Sequence, residues 1–97
     1  MHEHRLARDL WPALERLARE HGLSKVTAVT IEVGMLHLVE EDFLRHSFEH
    51  VFEGTIFQGA NMEIRILEPG QTITDAQNQP DVATGQELII RRIAGEQ

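Results

Sequence analysis

Apolar residues recur in this chain at two spacings, every third or fourth position in two segments and every second position in others. The order of those segments limits the folds open to it. Leu6, Leu10, Ala13, Leu14, Leu17 and Ala18 form one helical stripe, with Arg5, Arg8, Asp9, Glu15, Arg16 and Arg19 on the opposite side. Gly22, just past His21, suits a left-handed helix cap. Pro12 interrupts the stripe, and inside a helix it removes a backbone hydrogen bond and crowds the preceding turn. It predicts a kink near Arg8 to Trp11, or a helix that properly starts at Pro12. Glu40 to Glu53 is the clearest helix. Phe43, Leu44, Ser47, Phe48, Val51 and Phe52 read as an unbroken buried stripe, and Glu40, Glu41 and Asp42 place acids where the helix dipole favours them.

Three segments read as strands. Lys25 to Val33 alternates, with Val29, Ile31 and Val33 opposite Ala28, Thr30 and Glu32, and Gly34 ends it. Asn61 to Leu67 sets Met62, Ile64 and Ile66 against Glu63 and Arg65. Leu88 to Ile93 opens with Leu88-Ile89-Ile90, apolar on both faces, which suits a central strand. Glu68 to Gly85, polar and punctuated by Pro69, Gly70, Asn78, Pro80 and Gly85, reads as a loop. The expected fold is α+β: two helices packed on a three-stranded sheet, in the order α-β-α-β-β, as a single domain over residues 1–97.

Composition then narrows the function. A formal charge of −7 disfavours nucleic acid, whose affinity comes from Lys and Arg neutralising phosphates, and disfavours anionic membrane surfaces. No apolar run approaches the roughly 20 residues of a membrane span, and the polar start is unlike a signal peptide, so a cytoplasmic location is expected. With no cysteine, thiolate catalysis, disulfides and cysteine-based zinc or iron–sulfur sites are closed to the chain. No phosphate-binding glycine loop, nucleophile elbow or Ser/His/Asp arrangement is present, and no catalytic residue can be nominated. The expectation is a protein without catalytic activity of its own.

Its six histidines carry what chemistry there is. In Met1-His2-Glu3-His4, the α-amine, the amide nitrogen of His2 and that residue's imidazole Nδ1 can close a five-membered and a six-membered chelate ring on one ion. Deprotonating an amide suits a d⁸ or d⁹ ion that prefers planar nitrogen donors, Ni(II) or Cu(II). Glu3 or His4 can fill the remaining position. A bulky second residue protects Met1 from aminopeptidase, which keeps His2 second. A solvated, frayed terminus is the plainer alternative. His46 and His50 share a helix face near Asp42, Glu49 and Glu53, and are read as solvated with supporting ion pairs, or as an incidental two-histidine site. His37 reads as a turn residue, His21 as a helix-end charge, Trp11 as packing, and the first-helix arginines as solvated.

Taken together, M-H-E at the start, K-V-T-A-V-T-I-E-V-G-M-L at 25–36, V-E-E-D-F-L-R-H-S-F-E at 39–49 and E-G-T at 53–55 resemble the HypA/HybF nickel-incorporation proteins. So do G-A-N-M-E-I at 59–64 and G-Q-E-L-I-I-R-R-I at 85–93. The resemblance implies a metallochaperone carrying Ni(II) as cargo for [NiFe] hydrogenase maturation, with the hydrogenase large subunit and a maturation GTPase as partners. It makes His2 the nickel ligand, with the Met1 amine and the Glu3 backbone or side chain as supports. One departure stands out. The family inserts a zinc domain with paired C-x-x-C motifs between the last two strands, whereas residues 68–85 here hold no cysteine, so no zinc is expected. The competing reading is a degenerate relative kept as a protein-interaction module without metal delivery.

Overall fold

The computed structural model describes residues 2–97. Helix α1 spans Glu3–Glu20, strand β1 Lys25–Gly34, helix α2 Glu41–Phe52 and strand β2 Asn61–Leu67. Two short strands follow, β3 (Thr72–Thr74) and β4 (Pro80–Val82), and the chain ends with β5 (Leu88–Glu96). The α+β expectation holds, with one addition: Glu68 to Gly85 is not wholly loop, since β3 and β4 pair as an antiparallel hairpin. Among the described residues no helix is long and apolar enough to cross a membrane.

The main sheet has the order β2-β1-β5, with β1 parallel to β2 and antiparallel to β5. Parallel neighbours need a crossover, and α2 supplies it. Both helices cover one face of this sheet, α1 reaching β5 and α2 reaching β2 while packing on each other. The alternation of β1 dictates that arrangement. Val29, Ile31 and Val33 are buried in one cluster with Leu14 of α1 and Phe48 of α2. Leu44, Phe48 and Phe52 make the inward stripe of α2, as their spacing requires.

Four expectations are corrected. The centre of the sheet is β1, and β5 lies at an edge. A register shift between Thr30 and Ile31 inserts an extra residue in β5, so that Leu88, Ile90 and Ile93 all pack on the core across the bulge. Ile89, on the other face, lines a cavity with Ile73 of the hairpin, which is why the run looked apolar on both sides. Second, α1 does not start at Pro12; it runs unbroken from Glu3 with Pro12 inside. Third, the α2 stripe is broken: Phe43 is 64% exposed, and Ser47 and Val51 are half-buried. Fourth, Glu40 lies just outside α2 as its N-cap, its carboxylate accepting from the Asp42 and Phe43 amides.

The second face of β1 is polar yet covered. Glu32, 7% exposed, accepts two hydrogen bonds from the Arg91 guanidinium at 2.6 and 3.1 Å, and Arg65 stands 3.5 Å away. Arg91 also donates to the Thr74 carbonyl, tying the hairpin to the sheet. Among the described residues every buried side-chain nitrogen and oxygen has a hydrogen-bond partner, as burial of polar atoms demands.

Candidate metal centre

The start of α1 is fastened to the start of α2 by one buried carboxylate. Glu3 is 7% exposed although its neighbours His2 and His4 are both exposed. Its Oε2 accepts from the Glu40 amide at 2.8 Å. The Glu40 carboxylate in turn caps α2. The Glu40 hydrogen bond is the main reason that the Glu3 carboxyl is lowered to about 2. His2 is held at the helix start: it is the N-cap of α1, and its carbonyl accepts from the Leu6 amide at 3.1 Å.

The sign of the Glu3 shift gives a pH dependence. A carboxyl with a depressed folded-state pKa adds stability above its unfolded value, near 4.3, and that contribution is lost as the pH falls through about 2. Glu3→Gln is expected to melt below the native chain at about pH 7, with the gap narrowing as the pH drops from about 5 towards 2. Thermal denaturation at several pH values measures it, and a gap of constant size would show that the Glu3 charge is not its source.

Around this anchor the two N-terminal imidazoles take different neighbours. The ring of His2 stands 6.4 Å, centre to centre, from that of His37, in the 3₁₀ turn Met35–His37. The Nε2 of His37 is 2.9 Å from the Gln86 carbonyl, so it donates there and fixes the tautomer. The ring of His4 stands 5.9 Å from that of His50 on α2. An open cleft of about 580 Å³ between the two helix faces is lined by His2, Glu3, His4, Phe43, His46 and His50, among others.

The residues singled out in the sequence are thus partly brought together. His2, Glu3 and His4 share the cleft. The Met1 amine lies outside the described residues. His46 and His50 are exposed and stand 3.2 and 3.6 Å from the Glu49 and Glu53 carboxylates, yet they also line the same cleft as His4, which the spacing along the chain did not suggest. Glu40 was read only as a dipole acid, and its amide contact to Glu3 spans 37 residues with no local signature. Among the described residues no three His, Asp or Glu side chains form a group ready to hold one ion.

Trp11 and the helix arginines behave as read. Trp11 is half-buried against Phe52 and Phe57, and Arg5, Arg8, Arg16 and Arg19 are exposed.

Known proteins match this chain clearly. A family model described as hydrogenase/urease nickel incorporation, metallochaperone, HypA, matches residues 1–79. The hydrogenase maturation factor HybF of Escherichia coli strain K12 is 41% identical over 71 residues, covering 73% of this chain and 62% of that protein. The hydrogenase maturation factor HypA of Dechloromonas aromatica is 41% identical over 70 residues, covering 72% and 61%. The chain therefore spans less than two thirds of the length of the curated relatives it matches. The solution structure of the Ni metallochaperone HypA from Helicobacter pylori superposes with a TM-score of 0.67 at 13% identity, covering 99% of this chain and 98% of that one, a likeness of fold.

Proposed function

Because the chain belongs to the HypA family of hydrogenase/urease nickel-incorporation metallochaperones, we propose that it carries Ni(II) at its N-terminus for the maturation of a [NiFe] hydrogenase. The His2 imidazole is the side-chain ligand, joined by the Met1 amine and the amide nitrogen of His2, with Glu3 as support. The observation that carries this reading is the pinned start of α1: Glu3, buried and bonded to the Glu40 amide, holds an exposed His2 at a helix end. An N-cap amide lies outside the helical hydrogen-bond ladder, so recruiting the His2 nitrogen breaks no helical bond. Glu3 contributes through position, since its carboxylate is already engaged.

No part of this ligand set selects nickel over copper, which binds nitrogen donors more tightly. Selectivity falls to supply and to partners, for which the hydrogenase large subunit and a maturation GTPase are the proposed pair. Calorimetric titration of tag-free protein with Ni(II) is expected to give a dissociation constant near micromolar or tighter, about −8 kcal/mol. His2→Gln, which keeps a bulky second residue and so keeps Met1, should weaken that binding at least 30-fold, about 2 kcal/mol. An unchanged isotherm in this variant sinks the terminal site.

A second reading, an interaction module that delivers no metal, draws on one observation. The turn between β1 and α2, with the first turn of α2, leaves Leu36, Leu38 and Phe43 53%, 74% and 64% exposed. Capture of a maturation partner that survives both His2→Gln and chelator favours it.

A further inference from the structure

We propose that His4 and His50 form a second ion-binding site, for a borderline divalent transition-metal ion held by two imidazoles and water, with His46 one helical turn away in the same cleft. This site is independent of the terminal chelate and does not rest on it. The two rings come from different helices, and the packing of α1 on α2 brings their centres to 5.9 Å, with the planes 52° apart. An ion about 2.1 Å from a ring nitrogen lies about 3.2 Å from the ring centre, so two rings on one ion have centres no more than about 6.4 Å apart. The observed separation falls inside that reach.

The orientation of the α2 imidazoles points the same way. The Nδ1 of His50 is 3.6 Å from the Glu53 carboxylate, and that of His46 is 3.2 Å from Glu49. With a carboxylate on the Nδ1 side of each ring, Nε2 is the nitrogen left open to an ion, and carboxylates on the far side of metal-binding histidines are a common arrangement. Both pairs are local to α2, so the ligand face is set before any ion arrives. His2 and His37, at 6.4 Å, sit at the limit of reach, and the Nε2 of His37 is already committed to Gln86. His21, at the C-cap of α1, lines a different cavity.

A site of this kind works differently from the terminal one. Imidazoles bind without deprotonating an amide, so an ion can enter and leave by simple exchange with water. It would sit in the cleft that His2 also lines, a holding position beside the tighter site.

Four proteins titrated with Ni(II) alone test this: the native chain, a chain with three glycines before Met1, which move His2 out of chelating reach of the terminal amine, His50→Gln, and the extended chain carrying His50→Gln. Expected are two ions in the first, one in the second, one in the third and none in the fourth. In the extended chain, His4→Gln should weaken the remaining binding at least tenfold, whereas His21→Gln should leave it unchanged. His4, His21 and His50 are all exposed, so the fold should survive, and circular dichroism verifies it. The proposal is overturned if the extended chain binds no ion, or if its binding ignores both His4→Gln and His50→Gln. Failure of the terminal reading looks different: the glycine extension then leaves the tight site in place.

Discussion

Phe52→Ala is expected to remove about 3–5 kcal/mol of stability, the range for deleting a buried aromatic side chain. Phe52 is 1% exposed and meets three other rings: Trp11 at 5.9 Å, Phe48 at 5.7 Å and Phe57 at 5.0 Å between centres. Each such pair adds about 0.5–1.5 kcal/mol beyond the area it buries, and alanine forfeits all three. A domain of this size holds about 5–15 kcal/mol in total, so the loss is a large share of it. Phe52 lies two residues beyond His50, and Trp11 belongs to α1, so this cluster also fixes the seam that brings His4 to His50. Urea denaturation should show a lower midpoint with an unchanged slope. A loss below about 1 kcal/mol would mean that the ring cluster does not hold the helices together.

What could be read from the chain follows the range of the interactions. The buried positions of α2 and β1 are set by local spacing, and Leu44, Phe48, Val29, Ile31 and Val33 fall where periodicity puts them. Phe43 belongs to the same helical pattern but lines the histidine cleft, because the first turn of α2 faces the start of α1 there. The place of β5 was hidden because Leu88 and Ile90 pack on the core while Ile89, on the other face, meets Ile73 of the hairpin, so a run with two separate partners resembled a central strand. Pro12 signalled a kink or a helix boundary, and of the two the boundary is absent: α1 continues through it with Leu10 and Leu14 buried on either side, tertiary burial outweighing local preference.

The metal centre divides along the same line. Met1-His2-Glu3-His4 is a local chelating sequence and was legible as one. The bond from the Glu40 amide to Glu3 and the approach of His50 to His4 exist only once α1 lies on α2. Either pairing joins residues tens of positions apart, and no spacing rule along one element can reveal it.

Gly34→Ala should cost about 3 kcal/mol, the upper end of what overpacking usually costs, because the atoms in the way are backbone. Gly34 closes β1 with an ordinary extended conformation, φ −63° and ψ 141°, so it is not there for a left-handed turn. A Cβ on it would fall on the carbonyl group of Gly85 and the amide nitrogen of Gln86. Those atoms cannot swing aside as a side-chain tip can. They are held by the Gly34 amide donating to Glu87 at 2.8 Å and the Leu36 amide donating to Gly85 at 2.7 Å. Pushing this segment away also withdraws the Gln86 carbonyl from His37, the ring beside His2, so the melt should come with altered Ni(II) binding. At roughly 4–8 °C per kcal/mol, the melting temperature should fall by about 12–24 °C. Gly54→Ala is the contrast. Gly54 has φ +74° with nothing within 4 Å of an added Cβ, so only the left-handed strain of about 1–2 kcal/mol applies. If the two variants melt together, close backbone approach at Gly34 is not what demands glycine there.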